Sequence, residues 1–230
     1  MAARPNVLLI FTDQHRLSAL GAYGETPCQT PNLDRLAAAG TRFETAYTTC
    51  PLCSPARGTI MTGTWPFRHG ITSNINNMTS ACHNLRDTPD LLPRRLQAQG
   101  FRTGYTGKWH LGERGDDMRL GKYQAPWPHI ESLPKDFGFD GQNFPGHGGG
   151  GFHYQEYQDY LAENGWEHNV GNGELTGPLE STVPYFLTSH TMSLIDTYAD
   201  GPVCRRGRAV FHLAQFLGSP RAVFRDNGIQ

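Results

Sequence analysis

The apolar run at residues 6–12 constrains the fold of this chain more than any other stretch. It is rich in Val, Leu and Ile, and apolar residues follow one another without polar alternation. Such a run predicts a strand buried on both faces, in the middle of a parallel sheet. In open α/β sheets, ligands bind beyond the carboxyl ends of the strands. Asp13, directly after the run, is therefore a candidate metal ligand, unless it only caps a turn.

Residues 53–57 read C-S-P-A-R, and a Thr-Gly pair follows at 62–63. Proline is favoured at the first helical position, so a helix is predicted to begin at about Pro55, with Cys53 in or beside its N-cap. Residues four apart share a helix face, so Arg57 is predicted to point toward Cys53. The free N–H donors and positive dipole of a helix start would favour an anion at position 53 as well. The alternative is that Cys53 is a buried thiol with only a structural role.

A second polar cluster follows a predicted strand at residues 103–106 and reads G-K-W-H-L-G over residues 107–112. Lys108 and His110 are two apart, so on an extended segment both side chains lie on one face. An ammonium group can neutralise an oxyanion, and an imidazole can exchange protons near neutral pH. The alternative is a surface lysine beside a structural histidine.

The remaining elements are marked by local signals. Thr30, Pro31 and Gly40 predict the N-cap, the first residue and the residue after the end of a helix. Alternation over residues 42–47 predicts a strand. Further helices are predicted at residues 88–99, 154–164 and 188–198.

The C-x-P-x-R string with its Thr-Gly pair, together with G-Y-x-G-K-x-H-L-G at residues 104–112, resembles the two signatures of type I sulfatases. These are the formylglycine-dependent members of the alkaline phosphatase superfamily. The resemblance implies an α/β fold, the N-terminal part of an alkaline-phosphatase-like sandwich with a mainly parallel central sheet and flanking helices. It covers residues 4–200, which are expected to form an incomplete sulfatase N-terminal catalytic region.

The resemblance also implies catalytic roles. A separate formylglycine-generating enzyme would oxidise Cys53 to formylglycine, whose hydrated aldehyde is the nucleophile toward a small-molecule or saccharide sulfate ester. Arg57 would hold the diol by hydrogen bonding. Lys108 and His110 would balance charge on the sulfuryl group.

A metal site is implied at the end of the first strand, where Asp13 and Gln14 match the family's cation-binding residues and Cys53 is a further ligand; the family's second metal-binding pair is expected to be missing from this chain. Oxygen ligands suit Ca²⁺ best here, with Mg²⁺ or Mn²⁺ as alternatives. Asn74, in a loop that borders the site in this family, is a weaker candidate for a substrate-side hydrogen-bond donor, because Asn-rich loops are usually turns.

The resemblance stops after residue 202. Read one nucleotide later, codons for residues 215–224 can encode N-F-W-G-P-H-E-P-Y-F, a segment of the type that sulfatases carry. The hypothesis is that the reading frame shifts after about Pro202, so that residues 203–230 form an out-of-frame tail without defined structure. Sulfatase residues from the missing half would then be absent, and this chain would be inactive.

Two alternatives to a sulfatase remain. One is a phosphonate or phosphate-ester hydrolase of the same superfamily, and the other is a non-enzymatic remnant.

Composition limits the classes of partner, the location and the cysteine chemistry that are expected for this chain. A formal charge of −1 with mixed signs gives no argument for nucleic acid or an acidic membrane surface. No apolar run is long enough to span a membrane, and no signal-peptide core precedes the first strand, so a cytoplasmic location is expected. Five cysteines do not indicate a disulfide scaffold. The C-x-x-C at residues 50–53 could be a redox pair or half a zinc site, but no second pair completes it.

Overall fold

A four-stranded parallel sheet forms the centre of the computed structural model, which describes residues 5–13, 15–75, 80–82, 84–112, 132–141, 155–167, 177–200 and 210–217. Its strands are β1 (Val7–Asp13), β2 (Arg102–Gly107), β3 (Asp140–Gly141) and β4 (Val210–Leu217). Their spatial order is β1-β4-β2-β3, and every pairing is parallel. The predicted α/β class with a parallel sheet is confirmed.

Six helices accompany the sheet in the described part of the chain: α1 (Pro31–Ala39), α2 (Cys53–Thr62), α3 (Pro66–His69), α4 (Leu92–Ala98), α5 (Gln155–Glu163) and α6 (Val183–Asp200). The predicted start and end of α1 are confirmed, with Thr30 before it and Gly40 after it. Helix α4 is shorter than predicted because Pro93 lies in its first turn, the part of a helix that tolerates proline. None of the helices in the described ranges is both long and apolar enough to cross a membrane.

Strand β1 differs from its prediction. It pairs with β4 and forms an edge of the sheet as described, and it is not buried on both faces. Leu8 and Ile10 are about half exposed, at 50% and 49%, whereas Leu9 and Phe11 pack against the core. One face of the strand therefore carries apolar side chains that the described residues do not cover.

Residues 210–217 also differ from their prediction. They form β4, so the expectation that residues 203–230 have no defined structure is wrong for these eight residues. Strand β4 pairs with β1 from Val7↔Phe211 to Asp13↔Leu217, and with β2 along its other edge. A largely apolar segment between β1 and the edge of β2 that faces away from β3 is enough to form both ladders. The reading-frame hypothesis stays a prediction, and the rest of the expected tail lies outside the described residues.

The strand predicted at residues 42–47 is absent from the structure, which is irregular there. Phe43 and Tyr47 are largely exposed, so the apolar side of the alternation has no surface to bury against. Alternating residues make a strand only where a neighbouring strand and a core face exist.

The main core holds the segment after β2 in place. Trp109 is 1% exposed and packs edge-on against Tyr105, with 5.2 Å between ring centroids. Phe137 and Phe139 complete this aromatic group. The two polar residues that flank Trp109 are therefore carried by a rigid segment.

Candidate active site

Helix α2 begins at Cys53, two residues earlier than predicted, and the extended Leu52 is its N-cap. Pro55 is tolerated as the third helical residue because the first four N–H groups of a helix have no partner within it. The Cys53 thiol is free and half-buried. The cysteine thus opens the helix, one turn before Arg57.

The N–H groups of the first turn are largely committed. Ser54 donates its N–H to Oδ1 of Asn74 at 3.1 Å, Pro55 has no N–H, and Ala56 donates to the Leu52 carbonyl at 3.1 Å. The prediction of several free donors at this helix start is therefore wrong for these three positions.

Three predicted site residues come together around one carboxylate. Oδ2 of Asp13 accepts hydrogen bonds from Nζ of Lys108 at 2.7 Å and from Nη2 of Arg57 at 3.2 Å. The three side chains are 11%, 8% and 2% exposed. One carboxylate between two cations leaves a formal charge of +1 in a largely dry site, which favours binding of an anion.

The sheet sets this arrangement. Asp13 ends β1 and Lys108 follows β2, so both lie at the carboxyl edge of the sheet with β4 between their strands. Arg57 reaches this edge from α2 and donates through Nη1 to the Lys108 carbonyl at 2.6 Å. The hydroxyl of Tyr105 donates to the same carbonyl. Asp13 and Lys108, and not Cys53, therefore fix the direction of the guanidinium group.

One donor of Arg57 is unused. Its Nε is buried and has no hydrogen-bond partner among the described residues. A buried N–H without an acceptor is unfavourable by about 1–3 kcal/mol. An acceptor oxygen on a bound ligand would remove that penalty.

His110 is buried but does not follow the extended geometry that was predicted. Its φ is +51°, in the left-handed region that non-glycine residues seldom adopt. The prediction that Lys108 and His110 share one face of an extended segment is therefore wrong. Nε2 of His110 lies 3.3 Å from the carbonyl oxygen of Ile75, whereas Lys108 reaches Asp13.

Two residues that bear on the site were not predicted. Ser54 is fully buried, and its Oγ accepts the N–H of Ile75 at 3.1 Å. Ser54 directly precedes the predicted helix start at Pro55, and serine is a preferred N-cap residue, which is the signal that could have identified it. Asn74 was predicted to face a substrate, but its Oδ1 binds the backbone of Ser54.

His69 is the second unpredicted residue, and it supports the far side of α2. Its Nδ1 accepts the N–H of Ile71 at 3.2 Å, and its Nε2 lies 3.3 Å from Oγ1 of Thr59. Burial lowers the pKa of His69, against a smaller opposite effect of a hydrogen bond with the backbone of Pro55. Burial against the helix therefore favours the neutral form of the ring.

Only part of the predicted metal site lies within the described residues. Gln14 lies outside the described residues, and within the described ranges no group of three or more His, Cys, Asp or Glu side chains is placed to hold a metal ion. Oδ2 of Asp13 already binds two cationic groups. Because Ca²⁺ takes about six to eight oxygen ligands, the described residues alone do not fit this ion.

Comparison with known proteins gives one family. A family model described as Sulfatase matches residues 5–165. The chain is 40% identical over 116 residues to N-acetylgalactosamine-6-sulfatase of Homo sapiens, and 43% identical over 111 residues to arylsulfatase A of Bos taurus. Each match covers 48% of this chain and 22% of the relative. The chain therefore spans less than a quarter of the length of these curated relatives.

Solved structures show the same fold. A phosphonate monoester hydrolase of Agrobacterium radiobacter superposes with a TM-score of 0.64 at 24% identity, over 93% of this chain and 41% of that one. Ps i-CgsB in complex with k-i-k-neocarrahexaose gives a TM-score of 0.60 at 24% identity, over 93% and 45%. At this identity the two structures establish the fold and not the reaction.

Proposed function

Because this chain belongs to the sulfatase family, we propose that it takes part in the hydrolysis of a sulfate monoester, with the residue at position 53 as the nucleophile. The observation that carries the proposal is the buried cluster in which Asp13 holds both Lys108 and Arg57. Its excess positive charge, one helical turn from position 53, suits an anionic ester. The activity, substrate and partners of a whole protein that contains this chain are parts of the same proposal.

Cys53 is proposed as the site of formylglycine. The free, half-buried thiol at the first position of α2 and the intact C-x-P-x-R string support this assignment. Formylglycine supplies a hydrated aldehyde as the nucleophile. A formylglycine-generating enzyme is the partner that this chemistry requires.

Lys108 is proposed to stabilise negative charge on the sulfuryl oxygens, and Arg57 to hold the diol by hydrogen bonding and to add its positive charge to that of Lys108. Asp13 fixes both cations before a substrate binds, so little reorganisation is needed when charge develops. The Nε of Arg57, which has no hydrogen-bond partner among the described residues, is proposed as one donor to an ester oxygen. Asp13 thus acts as the counter-ion that keeps two adjacent cations in place.

His110 is proposed to exchange a proton through Nδ1. A carbonyl oxygen can only accept a hydrogen bond, so the contact with Ile75 places a proton on Nε2. Nδ1 is then the nitrogen whose protonation changes. For Asn74, donation to a substrate would come from Nδ2, because Oδ1 is engaged by Ser54.

A divalent cation, Ca²⁺ before Mg²⁺ or Mn²⁺, is proposed for Asp13, Gln14 and position 53. Oxygen ligands beyond those described would be needed to complete its coordination. The roles given above for Lys108, Arg57 and His110 do not depend on it.

The substrate is proposed to be a saccharide or other small-molecule sulfate ester. The name of N-acetylgalactosamine-6-sulfatase, 40% identical over the matched region, supports a sulfated sugar. The residues that select the alcohol group are not identified by the cluster, which recognises only the charged end.

Mass spectrometry tests the nucleophile. After co-expression with a formylglycine-generating enzyme, the peptide containing Cys53 should lose sulfur and gain an aldehyde, whereas Cys50 in the same peptide should stay a thiol. Cys50 is a matched control because it lacks the P-x-R that follows Cys53. An unmodified thiol at position 53 would contradict the assignment.

Turnover tests the reaction. An aryl sulfate and an aryl phosphonate monoester are offered to this chain and to the product of the frame restored after Pro202. We expect the restored product to cleave the sulfate in preference, and Cys53→Ala to abolish that turnover. Faster cleavage of the phosphonate would favour the other hydrolase class of the superfamily.

A further inference from the structure

The start of α2 and residues 74–75 hold each other by two reciprocal hydrogen bonds. The N–H of Ser54 donates to Oδ1 of Asn74, and the N–H of Ile75 donates to Oγ of Ser54, both at 3.1 Å. Ser54 is fully buried and Ile75 is 2% exposed. Hydrogen bonds in such surroundings are costly to leave unmade, so each segment fixes the position of the other.

Asn74 supplies the hydrogen-bond acceptor that the side chain of an N-cap residue usually provides. Leu52, at the N-cap, has no side-chain oxygen, and no side-chain cap bond is formed there. The acceptor for the first turn comes instead from a loop 20 residues away in sequence. The exact start of α2, and with it the place of Cys53, therefore depends on that loop.

The same loop reaches His110. The carbonyl of Ile75 lies 3.3 Å from Nε2 of His110 and can only accept, so the ring carries its proton on Nε2. His110 also has a left-handed backbone, which its surroundings must maintain. Residue 75 thus contacts α2 through its N–H and His110 through its C=O.

We propose that Ser54 and Asn74 are positioning residues that couple the start of the Cys53 helix to the orientation and tautomer of His110. The inference rests on the proposed function for its catalytic meaning. The coupling itself is a property of the unmodified chain, because every bond in it joins atoms of Ser54, Asn74, Ile75 and His110.

The test is nitrogen NMR and amide exchange on the full chain with Cys53 unmodified. In the chain without substitutions we expect the Nε2–H tautomer of His110. Asn74→Leu, which removes the acceptor, should speed exchange of the Ser54 amide by about tenfold or more and move the nitrogen signals of His110. Asn74→Asp keeps an oxygen at the same place and should restore slow exchange and the Nε2–H tautomer.

Thr72→Ala is the matched control. Thr72 is in the same loop, and its Oγ1 accepts the N–H of Ala81 at 3.4 Å on the exposed side. This substitution should leave both the Ser54 amide and His110 unchanged. Ser54→Ala should instead release the Ile75 amide and shift His110, while the amide of residue 54 stays protected by Asn74.

Two results would overturn the proposal. One is an Nδ1–H tautomer of His110 in the unsubstituted chain, a measurement that needs no variant to fold. The other is faster exchange at Ser54 in Asn74→Leu without any change at His110. Neither readout involves hydrolysis, so failure of the coupling is distinguishable from failure to form an aldehyde or to cleave a sulfate.

Discussion

At the scale of single residues, Asp13 has the largest consequence. Its carboxylate is the shared partner of two almost fully buried cations, and removing one member of a buried ion pair leaves a charge without compensation. Surface ion pairs in the same chain have no such role. The Arg95–Asp90 pair, for example, has side chains 68% and 79% exposed.

We expect Asp13→Asn to lower the free energy of unfolding by about 3–5 kcal/mol, because Lys108 and Arg57 then lie together without an anion. Asp90→Asn, its matched control, should change stability by no more than about 1 kcal/mol. Urea unfolding of the two variants measures both values. An equally small loss for each would show that Asp13 is not the buried counter-ion described here.

His69 gives a dependence of stability on pH. Burial lowers its pKa below the ordinary 6.5, so the unfolded chain takes up a proton at higher pH than the folded chain. The stabilisation is complete above pH 6.5 and is lost as the pH falls from there through the lowered pKa. Burial also lowers the pKa of His190, which adds a contribution of the same sign.

Replacing His69 by asparagine should therefore flatten the loss of stability as the pH falls below 6.5. The amide oxygen of His69→Asn can still accept the N–H of Ile71, so the variant removes the titration while keeping one contact. Urea midpoints at several pH values give the slope. A slope equal to that of the unsubstituted chain would mean that His69 is not held neutral.

At the scale of elements, α2 is fixed from three sides: by Asn74 at its start, by Arg57 toward the sheet and by His69 on its far side. Gly58 allows the third contact. A Cβ atom at residue 58 would lie 2.7 Å from Cε1 of His69, closer than real Cβ contacts come. The helix and the imidazole are thus in contact at a position where any side chain would interfere.

Gly58→Ala tests this contact because two effects oppose each other. Helix propensity alone would stabilise the variant by about 1 kcal/mol. Overpacking against His69 should destabilise it by about 1–3 kcal/mol, so we expect a net loss. In a His69→Ala background the loss should vanish or reverse, and a double-mutant cycle by urea unfolding measures the difference. Equal effects in both backgrounds would exclude the contact.

Elements with local signals were predicted well from the sequence, and elements that depend on distant neighbours were not. Helix α1 has its proline, its cap and its glycine within a few residues, so its bounds follow from local chemistry. The edge position of β1 depends on pairing with β4, about 200 residues later, which no local pattern contains. The strand predicted at 42–47 fails for the same reason.

The site shows the same division. The two motifs identified Arg57 and Lys108, and the end of the first predicted strand identified Asp13; the structure brings all three together. The sequence did not indicate that Asp13 would bind both cations, because that depends on the order of strands in the sheet. The left-handed backbone of His110 is likewise a result of packing and not of local preference.

At the scale of the whole molecule, the continuity of the sheet depends on β4. It is the only described neighbour of β1 and the strand that joins it to β2. Leu213→Pro removes a backbone donor from this central strand, which should lower stability by about 2 kcal/mol or more. Leu213→Val, which keeps the donor, is the control. Equal stability of the two variants would show that residues 210–217 do not form this strand.

The reading-frame hypothesis makes a prediction about codons. For the shifted frame to give W-G-P, the codon of Leu217 must end in TG, that of Gly218 must be GGG and that of Ser219 must be TCC. Sequencing the gene checks all three at once. Any other codon at these positions contradicts the segment that the shifted frame was proposed to encode.

The position of β4 between β1 and β2 also sets an order of events during synthesis. Asp13 leaves the ribosome first, and Lys108 follows long before residues 210–217 emerge. The interval between β1 and β4 is roughly 10–40 s at about 5–20 residues per second. Through that interval the nascent chain contains β1 without β4. Asp13 and Lys108 are therefore both synthesised well before the strand that aligns them.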